Sequence, residues 1–146
     1  MIRLNSQEAG QNIWVTLTEN KEGTSDYYLM ECTNQVTNDI SYCVIFGDSS
    51  EYIERYNRFF IFNDTTNANK GLSNSLYLPY TGFYTYVIYE TNLTEETYND
   101  LTEASEASGS EINQLETGLL WYTPIAANNT EYNPIESTTY VYTPEQ

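Results

Sequence analysis

The chain has 146 residues, 40% of them apolar, which suits one domain with a sandwich-sized core. Five Lys and Arg stand against 21 Asp and Glu, and a net charge of −16 weighs against nucleic acid and anionic membranes as partners, since both need cations. There is no histidine, no apolar run long enough to span a bilayer and no GxxxxGK[ST] or GxGxxG loop. That removes the histidine-based catalytic arrangements and the phosphate-cradling loops.

The N-terminal stretch MIRLNSQEAGQNIW lacks the apolar segment of a secretory signal, so synthesis in a cytoplasm is the expectation. Ile13, Val15 and Leu17 then alternate with Trp14, Thr16 and Thr18, the period of a half-buried strand, and a polar turn follows. Residues 27–33 (YYLMECT) and 41–46 (SYCVIF) form the next two strands. Cys32 and Cys43 fall one in each, and they pair only if their Cα atoms come within about 7 Å. Without an export signal, two free thiols used as small core residues are the expectation.

Residues 58–62 (RFFIF) make a fourth strand, with Phe60 and Phe62 on the face opposite Phe59 and Ile61. Residues 75–78 and 82–90 make a fifth and sixth, and 118–122 (GLLWY) a seventh, closed by Pro124. Seven short strands separated by polar turns predict an all-β chain. The specific expectation is an immunoglobulin-like antiparallel β-sandwich over residues 1–124. Residues 91–117 hold seven acids and no cation, and read as an acidic insertion between the last two strands, with a short helix near 95–104 and a mobile Gly-Ser loop after it. Residues 125–146 run past the last strand. With STTYVY between Pro134 and Pro144, they read as an extended C-terminal arm able to join a sheet edge.

The chemistry-bearing candidates are few. Asp48-Ser49-Ser50-Glu51 and Asn63-Asp64 are oxygen-rich, but without the D-x-[DN]-x-[DN]-G pattern they read as solvated loops, and no cofactor or metal is expected. No enzymatic activity is expected either. The aromatic stretch LPYTGFYTYVIYE (78–90) carries more information. Its G-x-Y-x-Y spacing is that of the sixth strand of immunoglobulin-like sandwiches, where a tyrosine returns its hydroxyl to the backbone. Tyr84, Tyr86 and Ile88 then face the core, with Tyr86 where an antibody domain has its second cysteine. Phe83, Val87 and Tyr89 point outward, where a free sandwich usually places polar groups. Two strands apolar on both faces imply a cover, whether the chain's own tail or loop, another copy or a different protein.

Several segments together resemble a known family. SSEYIERYNRFFI (49–61) is similar to the S-x-Y-x-E-R-Y-N-x-F-x-I stretch of small β-sandwich virion proteins of tailed phages of Bacteroidetes-type bacteria, the crAss-like phages among them. YYLMECTN, YLPYTGFYTYVIYE, ETGLL and the ending EYNPIESTTYVYTPEQ resemble further parts of the same proteins. The resemblance implies a non-enzymatic virion component made in the host cytoplasm: an auxiliary or decoration capsid protein, a head-fibre base or a tail adaptor. Its partners would be the major capsid protein, other virion proteins or further copies of itself. The expected contacts are Phe83, Val87 and Tyr89, the arm residues Tyr140 and Tyr142, and Arg55 and Arg58. Each arginine is close enough in sequence to pair locally with Glu51 or Glu54, and each is also available to a neighbour. From a different class, a carbohydrate-binding adhesin would stack sugars on exposed tyrosines and Trp121.

Overall fold

The structure is a computed structural model and describes residues 1–123; residues 124–146, and with them Tyr140, Tyr142 and the expected arm, lie outside the described residues. Eight strands form: β1 (Ile2–Asn5), β2 (Gly10–Val15), β3 (Tyr28–Asn34), β4 (Ile40–Ile45), β5 (Asn57–Asn63), β6 (Ser75–Leu76), β7 (Gly82–Thr91) and β8 (Glu111–Thr123). One helix, α1 (Glu95–Asn99), and two 3-10 turns at Thr18–Asn20 and Ala104–Gly109 complete the described residues. The described residues are therefore all-β, in two sheets with strand orders β1-β8-β7-β3-β4 and β2-β5-β6.

Side-chain alternation decides which face of each strand is buried. Ile13 and Val15 from β2 and Phe59 and Ile61 from β5 meet Tyr28, Met30, Cys32, Cys43, Ile45, Tyr84, Tyr86, Ile88, Leu120 and Tyr122 from the larger sheet. Tyr84, Tyr86 and Ile88 thus lie in the core. The Tyr84 hydroxyl donates to the Tyr80 carbonyl at 2.6 Å, so the ring is buried while its polar end keeps a partner. The Tyr86 hydroxyl donates to Glu116 Oε1 at 2.5 Å, and the other oxygen of that carboxylate accepts from the Thr16 amide beyond β2, tying the two sheets together. The β3–β4 hairpin is set by Asn34, whose side chain accepts from the Val36 and Thr37 amides at 2.8 and 2.9 Å.

Four expectations are corrected. First, the sheets are not purely antiparallel, because β1 runs parallel to β8 and β5 parallel to β6. Neither pair is joined by a tight hairpin, so nothing forces the antiparallel sense. β1 continues through the 6–9 turn into the other sheet, and residues 64–74 loop back between β5 and β6.

Second, the last strand starts seven residues earlier than Gly118, taking in the acidic run from Glu111. Third, residues 104–109 are a 3-10 turn with Ala104 and Ala107 buried, where a mobile Gly-Ser loop is expected. Fourth, the helix of residues 95–104 is shorter, ending at Asn99, with Thr94 and Thr97 forming a reciprocal cap at its start.

Candidate interaction surfaces

The outer face of the larger sheet is divided. At one end Leu29 and Val44 are fully buried beneath Leu93, Ala104 and Ala107 of the segment linking β7 to β8. Burying Leu93 alone contributes about 2 kcal/mol. Backbone bonds hold this cover down: Ala104 N donates to Lys70 O at 2.9 Å, and Val44 N to Gly71 O at 2.8 Å. Tyr98 of α1 stacks on Tyr27 with centroids 4.8 Å apart, meets Phe46 edge-on at 5.2 Å and accepts from the Ser73 amide at 2.8 Å.

Tyr89, on this outer face, packs against the cluster and is half-buried. Partial burial pushes the Glu31 carboxyl on the same face above its ordinary value, and nearby Glu111 adds to the shift.

The other end of the face has no such cover. Phe83, 47% exposed, sits across from Trp121 in register, the rings 4.4 Å apart and tilted by 40°. Leu119 is exposed beside them, and Arg3 of β1 stands opposite Trp121 on the far side. Val87 is half-buried between Glu31 and Thr117. Phe83 and Val87 therefore share this face with Trp121 and Leu119. Trp121 and Leu119 follow from the β7–β8 register, which the sequence does not supply.

The E-R-Y-N element is built around its asparagine. Asn57 is buried at the start of β5, and its Oδ1 accepts from the Leu17 and Thr18 amides at 2.9 and 3.3 Å, while Nδ2 donates to Asp48 Oδ2 at 2.7 Å. Arg58 does not pair with Glu51 or Glu54. Its guanidinium donates to the Ser49 hydroxyl at 3.1 Å and the Ser49 carbonyl at 2.7 Å, because the strand turns it toward that loop. Arg55 stays exposed, with Tyr52 and Tyr56 packed edge-on at 6.4 Å beside it. Among the described residues one ion pair forms, Lys21 to Asp26 at 3.6 Å.

Two carboxylates weighed as cation ligands are occupied by the chain itself. Asp48 accepts from the Ser50 and Arg58 amides as well as Asn57, and Asp64 accepts from the Thr66, Ala68 and Asn69 amides at 3.0–3.3 Å. In both, burial pushes the pKa up, but the hydrogen bonds outweigh it and hold the carboxyl below its ordinary value. Cys32 and Cys43 are free and fully buried, and burial pushes both thiols up.

An open cleft of about 920 Å³ lies where the loops after β2, β4 and β7 meet, lined by Lys21, Asp26, Tyr27, Phe46, Asp48 and Leu93 among others. The outer face of the small sheet, finally, presents Trp14, Phe60 and Phe62, all exposed. No helix among the described residues is long and apolar enough to cross a membrane. No protein-family model, curated protein or solved structure matches the chain.

Proposed function

We propose that the chain is a non-enzymatic structural subunit with an immunoglobulin-like sandwich, serving as an auxiliary or decoration protein of a tailed-phage virion. It attaches to the major capsid protein through the uncovered half of the larger sheet and through residues 125–146. The sandwich assignment is supported by strand order: β8-β7-β3-β4 follows the G-F-C-C′ order of variable-type domains, and β2-β5 the B-E pair. The Tyr84–Tyr80 bond supports it further, standing at the start of β7 where such domains carry a tyrosine corner. β6, only two residues long, departs from that pattern.

The virion assignment is supported by the sequence resemblance, above all the E-R-Y-N element at 54–57. The observation that carries the contact is the exposed Phe83–Trp121 pair, with Leu119 beside it, on the half of the larger sheet that the β7–β8 segment does not cover. An aromatic pair flanked by an aliphatic side chain has the chemistry of a protein-binding hot spot. Head-fibre base and tail adaptor are further positions for the same kind of subunit.

Sugar stacking is less well supported. Tyr89 is half-buried against its own chain, and the Phe83–Trp121 rings are tilted rather than coplanar. The test is incorporation into particles: Phe83→Ser with Trp121→Ser, and separately deletion of residues 125–146, are each expected to abolish it. Normal incorporation of both variants overturns the proposal, and Trp121-dependent glycan binding would favour the adhesin instead.

A further inference from the structure

We propose that the cleft where the loops after β2, β4 and β7 meet binds a segment of a partner protein that carries a lysine or arginine beside an apolar residue; this does not rest on the virion reading. The cleft is built before any ligand arrives. Glu90, fully buried near the end of β7, accepts from the Glu22 amide at 2.9 Å and from the Gly23 amide. A Cβ on Gly23 would lie 2.7 Å from Glu90 Oε1, so the loop after β2 comes this close only with glycine there. Ser25 Oγ donates to Leu93 O at 2.6 Å and Thr91 Oγ1 to Tyr27 O at 2.6 Å, which joins the same loop to the segment after β7. Just after β4, Asn74 holds Phe46 by two bonds, accepting from its amide at 2.9 Å and donating to its carbonyl at 2.8 Å. Walls fixed in this way have little conformational freedom left to lose on binding.

Size, surface and charge select the occupant. At about 920 Å³ the cleft has the volume of a ligand site rather than of a gap between side chains. Its lining offers apolar surface: Tyr27 and Phe46 are half-buried, and the side chains of Ile53 and Ile112 are 54% and 50% exposed. Three carboxylates, Asp26, Asp48 and Glu95, line the cleft against one cation, Lys21, which is already paired with Asp26 at 3.6 Å. Burial first, then Glu95, Tyr98 and Asp26, raise the Tyr27 hydroxyl above its ordinary value, in keeping with acids set close to an aromatic ring of the lining.

The cleft already makes the same interaction with a residue of its own. Lys21 Nζ stands 5.4 Å from the centroid of the Tyr28 ring, with the Asp26 carboxylate beside it. Glu95 makes no ion pair among the described residues. A guest ammonium or guanidinium between Glu95 and Tyr27 repeats the pattern, and an apolar neighbour in the guest meets Ile53 or Ile112. An anionic ligand would face the three carboxylates instead. A second copy of this chain would bring its own net charge of −16, whereas a basic segment is drawn in by the same field.

The test follows amide NMR spectra of the isotopically labelled full chain as capped tripeptides are added: acetyl-Leu-Arg-Leu-amide and its Gln and Glu counterparts. Shifts are expected to centre on the Gly23, Ser25, Gly47 and Thr94 amides, with the arginine peptide binding about fivefold or more tighter than the glutamine one. The glutamate peptide should leave these amides unmoved. Glu95→Gln should weaken the arginine peptide about threefold, and so should Ile112→Ser. Glu96→Gln, the same charge change on a residue outside the cleft lining, should not. Equal losses from Glu95→Gln and Glu96→Gln, shifts spread over the acidic surface, or no shift at about 10 mM arginine peptide overturn the proposal. So do shifts of these amides with protein concentration alone, which would put a second copy in the cleft, or with uncharged maltotriose, which would make it a sugar site.

Discussion

Gly71 and Tyr42 approach so closely that a Cβ on Gly71 would lie 2.2 Å from the Tyr42 carbonyl oxygen and 2.6 Å from Ala104 Cβ. Gly71 also has φ +81°, a conformation that L side chains adopt at a cost. The cover over the larger sheet therefore docks at a place only glycine fills. Gly71→Ala should cost about 3 kcal/mol, seen as a lower urea midpoint. It should also speed Glu-specific cleavage at Glu103 and Glu106. Wild-type resistance to cleavage would show that the cover is held elsewhere.

Tyr84→Phe keeps the buried ring and removes only the hydroxyl bonded to Tyr80. The expected loss is about 1–1.5 kcal/mol, against about 3–5 kcal/mol for Tyr84→Ala, which also leaves a cavity. Equal losses for the two in denaturant unfolding would mean that the ring itself contributes little.

Asn57→Ala strips acceptors from the Leu17 and Thr18 amides and a donor from Asp48. A loss of about 2–3 kcal/mol is expected, since the Leu17 amide is left buried and unpaired. Asn57→Asp should be no better, because it sets a carboxylate against Asp48. Arg55→Ala, which disturbs no side-chain hydrogen bond or ion pair among the described residues, should leave the midpoint nearly unchanged.

Stability should fall at both ends of the pH scale. Asp48 and Asp64 have folded pKa values below their unfolded ones, so their contribution is full above about pH 4 and is lost as pH falls through the folded values. The buried tyrosines run the other way at high pH. Burial raises Tyr28, Tyr84, Tyr86 and Tyr122, so the unfolded chain releases their protons first and stability falls as pH rises above about 10. Glu31 is also raised, mainly by burial, so its contribution is lost as pH rises through the folded value, and Glu31→Gln should stabilise the protein at pH 7. Urea midpoints from pH 3 to pH 11 check all three. An acid limb left unchanged by Asp48→Asn with Asp64→Asn would exclude those two carboxylates as its cause.

Cys32 and Cys43, fully buried with raised thiol pKa values, should ignore Ellman's reagent in the native protein and react at the rate of unfolding. Labelling within the mixing time in the absence of denaturant would contradict the buried placement.

Much of the sandwich is legible in the sequence because its strands alternate cleanly. Ile13 and Val15, Phe59 and Ile61, and Tyr84, Tyr86 and Ile88 each announce an inward face by period alone. Where charge interrupts that period, the pattern misleads. Glu111, Glu116 and the polar residues between them read as a loose acidic stretch, yet Leu115 is buried and Glu116 joins the two sheets. β1 is too short to show a period, and its parallel pairing with β8 follows from where the chain crosses between sheets. The cover over Leu29 and Val44 is hidden for a related reason: Leu93, Ala104 and Ala107 are few and unevenly spaced among polar residues, so nothing in their order marks them as a buried cluster.

The parallel pairing of β1 with β8 also has a mechanical side. Ile2 lies opposite Leu120 and Asn5 opposite Thr123, so the first residue enters at one end of the pair and the chain leaves at the other. A pull between Met1 and Thr123 therefore loads the whole ladder in shear, with all its hydrogen bonds sharing the force at once. In an antiparallel arrangement the same pull would open them one by one. The two ends of the described chain thus form a clasp that resists tension along the strands.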